Sequence, residues 1–153
     1  MAERLKYAKA FPEGVHALLN LGRVVAESGL EPGLMELVKI RASQMNGCAF
    51  CLDMHTKDAR VGGETEQRIY LLDAWRESPF FTPRERAALA WTEALTNIQQ
   101  GHATDEVYAE ARSQFDEAEL VKLTLAVTQI NSLNRIAIAF RMEPGVYQPK
   151  TRN

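Results

Sequence analysis

The chain has 153 residues, 46% of them hydrophobic and 25% charged, with a formal net charge of -2, the size and balance of one packed domain rather than of a disordered or membrane-embedded chain. Acidic and basic residues are interspersed and the pI is about 5.9, so nothing supplies the basic stripe that a phosphate backbone requires, and nucleic acid is not an expected partner. The opening MAERLKYAKAFPEG lacks the apolar core of a secretory leader and no run approaches the length of a membrane span, which leads to the expectation of a cytoplasmic protein without membrane contact.

Helix signals recur along the chain and strand signals are nearly absent, so the expected fold is all-α, a bundle of about six to seven helices in a single domain over residues 1–153. The first helix begins near Pro12, carries Val15, Leu18, Leu19, Val24 and Val25, and stops at Gly29, a residue suited to a helix C-terminus. A second runs from about Pro32 to the Asn46-Gly47 turn signal, and a third from near Cys48 to about Val61, closed by Gly62-Gly63. ETEQRIYLLDAWRES reads as a fourth that ends before Pro79.

Thr82, Pro83 and Glu85 spell a capping box with proline at the first helical position, the clearest helix start in the chain. TDEVYAEARSQF follows with Thr104 as its cap, and Asp116 with Glu119 opens a long helix to about Met142. The tail from 143 to 153 reads as irregular, with a mobile end.

A faint internal repeat is visible between the second helix and the last. AESGLEPGLMELVKI (26–40) matches AEARSQFDEAELVKL (109–123) at a constant offset of 83, and after two inserted residues SQMN (43–46) matches TQIN (128–131) at an offset of 85. Continued, that register sets Cys48 opposite Leu133, Cys51 opposite Ile136 and His55 opposite Phe140. A degenerate duplication and two amphipathic helices sharing favoured residues both account for the match.

Chemistry concentrates in NGCAFCLDMHTKDAR, residues 46–60, which holds both cysteines of the chain and one of its three histidines. On an α-helix Cys48, Cys51 and His55 fall within an arc of about 60°, on one face. The turn at Gly47 places Cys48 in the first helical turn, where free N–H groups and the helix dipole favour a thiolate. His55, one turn after Cys51, is placed to exchange a proton with a thiol or with a leaving oxygen. Glu36, twelve residues before Cys48, can return beside that face if the helices pack antiparallel, or it can be a solvated acid at a helix start.

Two further readings of these residues stand beside a redox dithiol: a zinc site that draws on both cysteines with His55 and Glu36, and a pair of small buried apolar side chains. His16 and His102 read as surface or locally satisfied residues, and Trp75, Trp91, Phe80 and Phe81 as core or subunit contacts. Asn131 and Asn134 fit either buried hydrogen-bonding groups near the site or exposed polar positions.

With the motif set out, ELVKIRASQMNGCAFCLDMHTKDAR resembles the AhpD-like alkylhydroperoxidase branch of the carboxymuconolactone decarboxylase family, whose motif is Glu, eleven residues, Cys-x-x-Cys, three residues, His. The matching positions are Glu36, Cys48, Cys51 and His55, and the helical pattern on both sides is compatible with the family's all-α fold. The resemblance implies a peroxide-reducing dithiol that needs no cofactor, with a peroxide as substrate and a dithiol reductant of the lipoyl or thioredoxin-like kind. It also implies homo-oligomers, trimers or hexamers among them, with active sites near subunit contacts.

In the expected mechanism Cys51, next to His55 on the helix, attacks the peroxide and Cys48 closes the disulfide, while the helix dipole favours the opposite order; His55 shuttles the proton and Glu36 partners the histidine. The best-known hydroperoxidases of the family carry a second histidine just before the second cysteine, where this chain has Phe50. The decarboxylase branch lacks the cysteine pair, so the pair argues against lactone decarboxylation. The expectation from another class is a non-catalytic interaction module whose disulfide state alters assembly.

Overall fold

Residues 2–149 of the computed structural model are described, and they contain eight α-helices and no strand. In chain order these are α1 (Tyr7–Ala10), α2 (Pro12–Ala26), α3 (Pro32–Asn46), α4 (Ala49–Val61), α5 (Glu66–Leu71), α6 (Pro83–Thr96), α7 (Asp105–Gln114) and α8 (Glu117–Phe140), with a 3-10 turn at Leu72–Ala74 after α5. The starts follow their sequence signals. Thr82 and Glu85 exchange both capping-box hydrogen bonds, as do Asp116 and Glu119, and the Thr104 side chain accepts from the Val107 N–H.

α3 is the centre of the bundle and packs against α4, α6 and α8. Its buried residues go all round the helix, as an enclosed position demands. Leu34, Met35 and Val38 join one core with Trp91, Phe115, Leu123 and Val127. Leu37 and Ile40 join a second with Leu72, Trp75, Phe81 and Leu89. Trp75, Trp91 and Phe81 are therefore core residues, whereas Phe80 is 43% exposed.

The turn between α3 and α4 brings the thiol motif back along α3. Gly47 takes a left-handed conformation with φ 68°, open to glycine without strain, and α3 ends there. The polypeptide re-enters a helix after one extended residue, Cys48. In the register of the internal repeat, Ser132 stands where Gly47 does, and α8 runs straight through it. The aligned pair Asn46 and Asn131 meets face to face. Asn46 Nδ2 donates to Asn131 Oδ1 at 3.0 Å and to Asn134 Oδ1 at 2.9 Å, while Asn134 Nδ2 donates to Ser43 Oγ at 3.0 Å. Asn131 and Asn134 are thus buried members of a satisfied polar network, not exposed positions.

Three details differ from expectation. Cys48 is the N-cap of α4 rather than a residue of its first turn. The fourth expected helix stops at Leu71 and tightens into the 3-10 turn, which carries fully buried Leu72 and leads into Trp75, whose indole N–H donates to Glu93 at 2.7 Å. Core burial there outweighs continuation of the helix. The single turn α1 has no cap signal in the sequence. Residues 143–149 are irregular as expected and lie against α4. The end expected to be mobile, 150–153, falls outside the described residues.

Candidate active site

α4 and α3 bring the four residues of the motif into one neighbourhood. Cys48 and Cys51 are joined as a disulfide, with Cα atoms 5.3 Å apart. The Cys51 N–H points at Cys48 Sγ, 3.4 Å away, which is the capping bond of α4 with a sulfur as acceptor. A donor held there stabilises negative charge on Cys48 when the bond is reduced. The two cysteines are 1% and 2% exposed and pack with Ala137, Phe50 and Met142. Phe50 thus lies against the disulfide as an apolar cover.

One turn beyond Cys51, His55 is 6% exposed and its Nδ1 lies 2.9 Å from Glu36 Oε2. The antiparallel return of α4 along α3 is what spans the 19 residues between them. An ionised carboxylate only accepts, so His55 Nδ1 carries the proton and a neutral ring presents the lone pair of Nε2. Among the described residues Nε2 has no hydrogen-bond partner. It is a buried, oriented and uncommitted proton acceptor, the form a general base takes.

Lys39, one turn after Glu36, donates to its other oxygen at 2.7 Å. Burial on its own would raise the Glu36 carboxyl, but the His55 hydrogen bond and the Lys39 ammonium outweigh it and hold the group below its ordinary value. Glu36 stays a carboxylate, and the tautomer of His55 stays fixed with it.

Two residues that sequence reasoning missed complete this corner. Asp58 follows His55 by one turn, and ligand atoms of Glu36, His55 and Asp58 lie within 4.8 Å of one another. Tyr147, from the tail, donates its hydroxyl to Asp58 Oδ1 at 2.8 Å. The i, i+3 spacing of His55 and Asp58 was a usable signal, whereas the approach of Tyr147 across 89 residues left none.

The three clustered donors are the set that could hold a cation, although Lys39 and Tyr147 already occupy the two carboxylates. The alternative zinc set of two thiolates, His55 and Glu36 is not assembled in this disulfide form, where each sulfur is bonded to the other. His16 and His102 are exposed and are not members of the cluster.

A cavity of about 810 Å³ opens onto Glu36, Lys39, His55 and Asp58. Leu19, Val25, Met35 and Leu133 give it an apolar flank, and Arg68 with Glu64 and Glu85 a charged one. Neither cysteine lines it, so the wall it shares with the redox pair is the His55 side of α4. Among the described residues no helix is long and apolar enough to cross a membrane.

The chain is similar to several known proteins. YdfG of Bacillus subtilis, an uncharacterized protein, is 48% identical over 139 residues, 91% of this chain and 95% of its own length. A crystal structure from Agrobacterium tumefaciens, of a protein of unknown function named provisionally as the antioxidant defence protein AhpD, is 46% identical with a TM-score of 0.92 and covers 95% of this chain and 100% of that one. The debrominase Bmp8, 20% identical with a TM-score of 0.78, covers 88% of this chain and 73% of its own and is alike in fold alone. The family model for carboxymuconolactone decarboxylases matches residues 12–94, from the start of α2 to near the end of α6 and across every residue of the motif. With the all-α bundle and the Cys-x-x-Cys pair in place, the chain belongs to the carboxymuconolactone decarboxylase family, as an AhpD-like member.

Proposed function

We propose that this protein is a thiol-dependent hydroperoxide reductase that uses Cys48 and Cys51 as its redox pair. The reading is carried by one observation, a disulfide one helical turn from a buried imidazole whose Nδ1 is held by a carboxylate and whose Nε2 is uncommitted. The Agrobacterium structure, with its name in antioxidant defence, is in keeping with it.

In the oxidative half the Cys51 thiolate attacks one peroxide oxygen, the O–O bond breaks, and the departing alkoxide or hydroxide takes a proton delivered through His55. Cys51 is then a sulfenic acid. The Cys48 thiolate attacks its sulfur, hydroxide leaves as water with a second proton, and the disulfide is formed. In the reductive half a dithiol opens the disulfide through a mixed disulfide and leaves as its own cyclic disulfide, restoring both thiols. The N–H at Cys48 Sγ suits that sulfur to closing the bond and to leaving as a thiolate.

Glu36 holds the histidine, and no cofactor enters the sequence of steps. The reductant would be a lipoyl or thioredoxin-like dithiol, the setting the cytoplasm, and the working form a homo-oligomer. Reduced protein titrated with one equivalent of hydrogen peroxide or an alkyl hydroperoxide tests the oxidative half. Loss of both thiols per peroxide consumed, with a mass decrease equal to two hydrogens, is expected. Thiols that survive equimolar peroxide would rule the reaction out.

A further inference from the structure

The C-terminal segment is tied to α4 at three points. The Gly145 N–H donates to Asp53 Oδ2 at 3.0 Å, Lys57 Nζ donates to the Tyr147 carbonyl at 3.0 Å, and the Tyr147 hydroxyl donates to Asp58 Oδ1 at 2.8 Å. The first two are backbone anchorages that any side chain at 147 would allow. The third is specific to a hydroxyl, and it ends on the carboxylate that stands within 4.8 Å of Glu36 and His55.

We propose that Asp58 and Tyr147 are positioning residues of the Glu36–His55 relay, with the tail delivering the hydroxyl that fixes Asp58 beside the histidine. Two carboxylates this close to one imidazole compete for its protons unless each has a partner of its own. Glu36 has Lys39 on its second oxygen. Tyr147 does the same for Asp58, and its proton is not at risk, because burial, the bond to Asp58 and the charges of Asp58 and Glu36 push its hydroxyl up to about 12. Across the neutral range Tyr147 is a permanent donor, so one oxygen of Asp58 is always committed and the carboxylate keeps one orientation.

The other charged groups around this corner are paired elsewhere. Lys57 bonds Asp53 and the tail carbonyl. Across the cavity Arg68 binds Glu64 at 2.8 Å and Glu85 at 2.5 Å. Among the described residues, Asp58 and Lys39 are thus the groups outside the motif that stand against the pair directly, and Tyr147 reaches it through Asp58.

The test compares wild type with Tyr147→Phe, Asp58→Asn and the double variant. The kinetic arm rests on the peroxide-reductase reading; a second arm follows the rate at which dithiothreitol opens the Cys48–Cys51 disulfide between about pH 6 and 9, and needs no peroxide. Both single variants are expected to displace that pH profile by about half a unit or more. They should also lower kcat for peroxide about tenfold with KM for peroxide unchanged. The double variant should be no worse than Asp58→Asn, because Tyr147 acts through Asp58.

Profiles that superimpose on wild type would overturn the proposal even if melting temperatures fall, since a purely structural tail would lower stability alone. Additive losses in the double variant would overturn it as well. Should Asp58→Asn fail to fold, Tyr147→Phe, which removes one oxygen, carries the comparison. If wild type turns over no peroxide, the function proposed above fails while the disulfide-opening profiles still decide the roles of Asp58 and Tyr147.

Discussion

Replacing Glu36 by Gln keeps the shape of the side chain and removes its charge, which isolates what the carboxylate does. In the native protein it accepts from His55 at 2.9 Å and from Lys39 at 2.7 Å. Hydrogen bonds to a charged acceptor contribute about 1.5–3 kcal/mol, and a neutral amide oxygen recovers part of that. Lys39 can turn to water once unpaired, so its share is small, about 0.5 kcal/mol. A net loss of about 1–2 kcal/mol follows for Glu36→Gln at neutral pH, or a fall of roughly 2–8 °C in melting temperature for a domain of this size.

The pH dependence gives the sharper comparison. The folded-state pKa of Glu36 lies below its ordinary value of 4.5, so its stabilisation is fully present above that value and is lost as pH falls through the lower folded one. The gap in melting temperature between wild type and Glu36→Gln should therefore close as pH falls below about 4.5. The amide can also turn its NH2 toward the ring and admit the other tautomer, so the rate of peroxide reduction should drop by about 10²- to 10⁴-fold. Circular-dichroism melts of the oxidised proteins between about pH 3 and 7 make the measurement. A gap that keeps its size down to about pH 3 would refute an ionised Glu36 that accepts from His55.

Three further outcomes follow from the same structure. In peroxide-treated single variants, a sulfenic acid should be trapped at Cys51 in Cys48→Ser. Trapping at Cys48 in Cys51→Ser with none at Cys51 would reverse the order of attack. Asn134→Leu removes a fully buried amide from Ser43 and Asn46 and should lower stability by about 1–3 kcal/mol in urea titrations; an unchanged midpoint would mean that the asparagine network does not bind α3 to α8. Gly47→Ala meets no atom within 4 Å of its new Cβ, so its loss comes from the left-handed backbone alone, about 1–2 kcal/mol, with Gly47→Asn less affected; equal losses for both would point to a cause other than conformation.

How much of this was legible in the sequence depended on distance along the chain. Thr82, Asp116, Gly47 and Gly63 act within one turn of themselves, and each did what its local chemistry prescribes. The Glu36 and His55 contact was legible at one remove, because an antiparallel turn of known position leaves little choice about which residues face each other. The orphaned α1 turn and the early end of α5 were not, since no cap marks the first and burial of Leu72 and Trp75 decides the second.

Beyond that range the sequence offered types without partners. Asn131 and Asn134 were equally compatible with solvent until α3 supplied Asn46 and Ser43. Asp58 has a partner that the sequence does not name, and only the fold shows that Tyr147 returns to meet it.

The central claim is that a peroxide oxidises the Cys48–Cys51 pair and a dithiol restores it. Steady-state peroxide consumption by the purified protein, with hydrogen peroxide and an alkyl hydroperoxide each tried against dithiothreitol, a dihydrolipoyl protein and a reduced thioredoxin, tests it most directly. The account predicts turnover that requires a dithiol and is abolished in both Cys48→Ser and Cys51→Ser. No turnover with any of these dithiols, while peroxide still changes the state of assembly, would contradict it and leave a redox-responsive interaction module in its place.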